Sequence, residues 1–117
     1  MRRSFLSRAS AAAACVALAA SAPLITRAEG GPAEVVVGAV LPLTGAESRV
    51  GTYFKAAYEL ATKEINDHGG LQLRQYGRKI PIKLIIYDDK TDPATSRNLY
   101  ERLAVQDHVH AMLGGYS

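Results

Sequence analysis

Three acids crowd one short stretch of this chain: Asp88, Asp89 and Asp92, directly after an apolar run. Carboxylates at a strand end suit a hard cation such as magnesium. The alternate acids and central glycine of a calcium loop are absent, so a solvated loop with a helix cap is the preferred reading. His108 and His110 are two apart; on a strand they would face one side and could form half of a zinc site. No Cys or further His lies near them in sequence, and strand-end histidines packed on a helix account for them better. Ser48, Ser96 and Ser117 lie in no Gly-x-Ser-x-Gly elbow. Gly38, Gly45 and Gly51 do not spell a dinucleotide fingerprint, and no phosphate loop ends in Gly-Lys-Ser/Thr. These residues predict no catalytic group, no metal and no cofactor.

What remains is loop chemistry. Thr44, Ser48 and the backbone of Gly45–Gly51 follow a first apolar run. Gly115, Tyr116 and Ser117 follow a later one. Hydroxyls and free N–H groups at helix starts suit a ligand carboxylate. Thr44 and Ser48 serve equally well as turn and cap residues, so both readings stand on these residues alone.

The elements that would position them alternate between strand and helix. Glu34–Leu41 is a continuous apolar run, as in a parallel strand covered on both faces. Pro42 ends it. From Arg49 to His68, Phe54, Ala57, Ala61 and Ile65 recur at helical spacing, with Ala56 and Leu60 widening the stripe. Lys55/Glu59 and Glu59/Lys63 are helical pairs. Asn66 to Gly70 stops this helix. Leu71–Lys79 reads as a polar connection turning at Gly77-Arg78, and Ile80–Tyr87 as a second strand with Pro81 near its start. Asp92 or Thr91 caps a second helix, Ala94–Asp107, with Pro93 in its first turn and Leu99, Leu103 and Gln106 on one stripe. His108–Leu113 is a third strand.

The predicted fold is α/β: a partial doubly wound parallel sheet in the order β-α-β-α-β. In the common strand order 2-1-3, the first and third strands are neighbours. The loops at Thr44–Gly51 and Gly115–Ser117 would then meet at one crevice.

Residues 1–28 have the three parts of an export signal. Arg2-Arg3 open it, the small apolar run Ala9–Pro23 follows, and Thr26-Arg27-Ala28 suits cleavage. The run is shorter than the roughly 18–20 apolar residues of a membrane span. Arg2-Arg3-Ser4-Phe5-Leu6 resembles a twin-arginine signal, though secretory signals also begin with basic pairs, and both routes stay open. Residues 29–33 are a linker. The formal charge of +3 belongs to the leader, since Arg2, Arg3, Arg8 and Arg27 are four of the 14 basic residues and none of the 11 acids lies there. The basic balance therefore points to no nucleic-acid partner. The single cysteine, Cys15, also lies in the leader. Ala12-Ala13-Ala14 lacks the large apolar residue expected before a lipid-modified cysteine, so periplasmic release is expected in place of anchoring.

Three strands and two helices make half of a doubly wound sheet and bury little. The expectation is a truncated piece of a longer protein.

Three motifs carry a family resemblance: Pro42-Leu43-Thr44-Gly45 with Gly51, Glu64-Ile65-Asn66 with Gly69-Gly70, and Tyr87-Asp88-Asp89 with Asp92-Pro93. In order and spacing, residues 34–117 resemble the start of type I periplasmic solute-binding proteins, nearest to the branched-chain amino acid (leucine) binding proteins of ABC importers. The resemblance implies two α/β lobes closing on a ligand, with this chain holding the first half of lobe 1. It implies an amino acid or amide ligand and an ABC permease partner in the membrane, with no catalysis. Family members usually place an aromatic residue just before the glycine matching Gly51; here it is Val50. The family also binds the ligand carboxylate with a serine after the third strand, often the second of a pair, and Ser117 matches the first. The ligand-binding candidates are thus Thr44, Ser48, Val50, Gly51, Gly115, Tyr116 and Ser117. A sensor of the same fold, or a small exported flavodoxin-like enzyme, are the alternatives. A transmembrane or kinase segment downstream would mark the first, and a nucleophile elbow the second.

Overall fold

The computed structural model describes residues 30–115. The expected leader with Cys15, and the candidates Tyr116 and Ser117, lie outside the described residues. No helix among the described residues is long and apolar enough to cross a membrane.

Strand β1 (Val35–Leu41) is the centre of a three-stranded parallel sheet. Helix α1 (Ser48–Asp67) leads to a small antiparallel pair, β2 (Leu71–Leu73) and β3 (Arg78–Ile80). Strand β4 (Ile82–Asp88) then lies along one side of β1 from Val35↔Ile82 to Leu41↔Asp88. Helix α2 (Pro93–Val105) crosses back, and β5 (Ala111–Leu113) pairs on the other side, Val37↔Ala111 to Ala39↔Leu113. The order β4-β1-β5 is the expected 2-1-3 arrangement of the sheet-forming strands. Both crossovers are of the right-handed kind and run in opposite directions, so α1 and α2 cover opposite faces. That is why β1 is apolar without alternation: both its faces meet a helix. Ala39, Val40 and Leu41 are fully buried. On the α2 face Gly38 makes room for the fully buried Leu103: a methyl at Gly38 would lie 2.8 Å from the Leu103 methyls.

Three boundaries differ from the sequence reading. The connection at 71–79 is a hairpin, turned by a single 3-10 turn at Arg74–Tyr76 and closed by Gly77 at φ 65°. The expected strand from Ile80 breaks at Pro81, which has no N–H for a ladder. Ile80 ends the hairpin and Ile82 begins the sheet strand. Third, β5 starts only at Ala111, because His108 is left-handed (φ 49°) and belongs to the turn after α2. Both histidines are exposed and neither packs on a helix. His110 instead extends the ladder: its N–H donates to Val36 O (2.8 Å), and its Nδ1 accepts from Val36 N (3.0 Å). The ring proton is therefore on Nε2.

Helix α1 sits rotated from the apolar stripe expected of it. Phe54 and Ile65 are half-buried, but Ala56, Ala57 and Ala61 are exposed, and Leu60 is 67% exposed. Two contacts near its ends set the rotation. Gly51 lies against the carbonyl of Pro42. At the other end the Asn66 amide donates to Ile82 O (2.8 Å) and accepts from Ile82 N (2.7 Å), acting as a neighbouring strand would. Between them Tyr58 and Thr62 share the half-buried face with Phe54 and Ile65. Of the expected pairs, Lys55–Glu59 forms (3.6 Å), whereas Lys63 pairs with Asp67 and not with Glu59. These exposed pairs contribute little.

Asn66→Ala would leave the Ile82 N–H and C=O without partners at a part-buried edge. It is expected to destabilise the fold by about 1–3 kcal/mol in urea unfolding.

Candidate functional site

The carboxyl end of β1 is where the predicted loops converge. Ser48, Val50 and Gly51 occupy the first turn of α1. A methyl on Gly51 would lie 2.0 Å from Pro42 O, so the helix start touches the strand end backbone to backbone. A methyl on Gly115 would lie 2.4 Å from Val40 O. Gly51 in the first turn of α1 and Gly115 after β5 therefore both lie against Val40–Pro42. Glu47, the N-cap of α1, gives no side-chain cap. The Ser48 N–H donates to Gly45 O (3.3 Å) and the Gly51 N–H to Glu47 O (3.1 Å), which leaves the Arg49 and Val50 amides as the open first-turn donors near the half-buried Ser48.

Thr44 has another commitment. Its hydroxyl donates to Asp88 Oδ2 (2.7 Å), and its N–H donates to Asp88 Oδ1 (3.1 Å). Asp88 Oδ1 also accepts from Leu43 N (2.9 Å) and Lys90 N (2.8 Å). Asp88 is the last residue of β4, opposite Leu41 in register, so its carboxylate falls level with the β1–α1 loop. Burial alone would raise its pKa. The hydrogen bonds from the Thr44 hydroxyl and the Lys90, Thr44 and Leu43 amides outweigh that and hold it below its ordinary value.

A second brace comes from Thr91. Its hydroxyl donates to Thr44 O (2.8 Å) and accepts from Glu47 N (3.2 Å). Lys90 and Thr91 both have left-handed backbones, φ 58° and 62°. Amide bonds to the side chains of Asp88 and Asp89 hold that turn. Gly45 (φ 88°) permits its approach, since a methyl there would lie 2.7 Å from Thr91 Oγ1. The acidic cluster is accordingly not a simple solvated loop. Asp88 braces the neighbouring loop, and the buried Asp89 shapes the turn. Asp92 caps α2 as expected, accepting from Thr95 N (2.7 Å). The Thr95 hydroxyl and amide bonds also lower the Asp92 pKa.

A cavity of about 480 Å³ lies beside this turn, lined by Pro42, Glu47, Asp89, Thr91, Asp92, Pro93 and Ser96. Its three carboxylates would repel an anionic ligand group, and none of the predicted site residues lines it. Among the described residues no group of three or more His, Cys, Asp or Glu could hold a metal ion.

The model of the family described as periplasmic binding protein matches residues 34–117. This chain belongs to that family. Among its relatives are the Leu/Ile/Val-binding protein homologs 1 of Brucella abortus (strain 2308) and Brucella suis biovar 1 (strain 1330). Each is 34% identical over 85 residues, covering 73% of this chain and 21% of the relative. The chain thus spans about a fifth of the length of these curated relatives. A similar solved fold is LivJ, the substrate-binding protein of a branched-chain amino acid transporter from Streptococcus pneumoniae, in complex with isoleucine. The TM-score is 0.61 at 24% identity, over 68% of this chain and 21% of that one. The periplasmic binding protein family therefore accounts for the α/β fold.

Sequence reasoning did not single out Asp88 and Thr91 as braces of the candidate loop. The available signal was an acid placed directly after a strand whose neighbour ends in a polar loop.

Two outcomes are expected. Gly51→Ala must separate α1 from the end of β1, and a loss of about 1–3 kcal/mol is expected in thermal unfolding. Asp88 is charged in the fold below the pH at which an unfolded aspartate, with a pKa of about 3.9, gains its proton. Its contribution is therefore present above that pH and lost as pH falls through the lower folded value. Asp88→Asn should lower stability at pH 7 and flatten the decline toward acid, as measured by urea unfolding across pH.

Proposed function

We propose that this chain is the N-terminal part of an exported periplasmic solute-binding protein that delivers a small polar solute to an ABC permease. The solute class is an amino acid or a close relative, with branched-chain amino acids foremost. The reading rests on the family match, on the leader's three-part pattern and on the names of the relatives. The single observation that carries it is the meeting of Gly51 and Gly115 at Val40–Pro42. There two backbones close on one strand end, near the open Arg49 and Val50 amides and the Ser48 hydroxyl.

Such a site is built to hold and not to transform. Its groups are neutral donors, suited to a carboxylate already charged in water. The Thr44 hydroxyl proton is directed at Asp88, so Thr44 acts in this reading by fixing the loop and Gly51 by letting the helix start approach the strand end, which leaves Ser48, Val50 and Gly115 as the described candidates for ligand contact. A second lobe would close over the solute, and binding would shift the open–closed balance. No step needs a cofactor or a covalent intermediate.

Calorimetry on the full gene product tests this. Saturable binding of isoleucine, leucine, valine or an amide, with none by residues 29–117 alone, is expected. A full product indifferent to every amino acid and amide would overturn it.

A further inference from the structure

Two tyrosines that the site does not otherwise use converge on the exit of β5. Pairing of β5 with β1 ends at Leu113, opposite Ala39. The next carbonyls leave the ladder. Tyr100, from α2, donates its hydroxyl to Leu113 O at 3.0 Å. Tyr58, from α1, donates its hydroxyl to Gly114 O at 2.7 Å. The helices lie on opposite faces of the sheet, so consecutive carbonyls are gripped from opposite sides. Directly after them Gly115 rests on Val40, with no room for a methyl.

A short strand of three residues has few ladder bonds to direct the chain beyond it. Gly114 and Gly115 are the two most permissive residues that could stand there. Left alone, this exit would sample many directions. Two side-chain hydrogen bonds and one backbone contact remove that freedom and set Gly115 against the end of β1. The Tyr58 ring is itself held by an edge contact with Phe54 (centroids 5.9 Å apart, 61° between planes). Its hydroxyl thus ties the same helix that presents Ser48 and Gly51 to the loop on the far side of the crevice.

We propose that Tyr58 and Tyr100 are positioning residues that pre-organise the backbone of Leu113–Gly115 for ligand binding, holding it at a fixed place beside the carboxyl end of β1. The inference rests on the ligand reading above. Neither tyrosine touches the ligand; each acts through the backbone of Leu113–Gly115. Pre-organisation of this kind raises affinity by lowering the ordering cost of binding.

The test uses the full gene product with Tyr58→Phe, Tyr100→Phe and the double variant. Each keeps its ring and loses only the hydroxyl. Isoleucine affinity is read by calorimetry, ligand-free stability by thermal unfolding, and backbone order at Gly115 by NMR relaxation. Each single variant should bind about 3- to 10-fold more weakly, and the double more weakly still. The order parameter at Gly115 should fall while the ligand-free midpoint moves by no more than about 2 °C. Variants that bind as tightly as a binding-competent wild type overturn the proposal and leave the ligand reading intact. So does an affinity loss that merely tracks a general loss of stability, with Gly115 unchanged. A wild type that binds no amino acid or amide overturns the ligand reading itself, and with it the ligand role of the two tyrosines.

Discussion

The carbonyl oxygen of Pro42 lies so close to the α-carbon of Gly51 that any side chain there would collide with it. Much of the molecule depends on this contact. It brings the start of α1 onto the end of β1 with nothing between them but backbone. It also sets the rotation of a twenty-residue helix together with Asn66 at its other end. Apolar burial accounts for part of this rotation, since Phe54, Tyr58 and Ile65 are half-buried. The expected stripe would also have turned Ala57, Leu60 and Ala61 inward, whereas these are exposed and Thr62 takes part of the inner face. A steric limit at one end and two hydrogen bonds at the other outweigh the small transfer energies of alanines.

The same strand end organises the loops around it. Asp88 ends the neighbouring strand in register with Leu41, so its carboxylate meets three amides and one hydroxyl without reaching. A charged acceptor with several donors is worth more than a neutral one, and it turns a Gly- and Thr-containing loop into a defined wall. Thr91 braces the loop from a second direction, and its left-handed backbone is the local cost of doing so. On the far side, Tyr58 and Tyr100 hold the exit of β5. The proposed binding role would use this arrangement, in which loops carry donors and a rigid sheet end fixes where the donors stand.

Among the described residues the fully buried apolar side chains gather at Ala39–Leu41, Ile80 and Leu103, while Tyr53, Leu60 and Val105 are more than half exposed. The polar contacts of Asn66, Asp88, Thr91 and the two tyrosines join elements around this core.

Much was legible from the sequence. The apolar run of β1, the capped start of α2 at Asp92-Pro93 and the strand–helix alternation fixed the class, because periodicity and capping are local properties. The strand order is the common one of doubly wound sheets. The convergence of Gly51 and Gly115 on one strand end followed from that order. The hairpin at 71–80, the late start of β5, the rotation of α1 and the role of Asp88 were not legible. Each depends on what a residue meets across the fold. Pro81 separates two strands because Ile80 and Ile82 pair in different sheets, and His110 fills a ladder position because Val36 lies opposite. Asp88 is a brace and not a solvated acid because register sets it beside Thr44. Local chain chemistry determined which elements form. Only the tertiary structure decided which polar atoms meet, since a hydrogen bond is short and directional and its partner lies dozens of residues away.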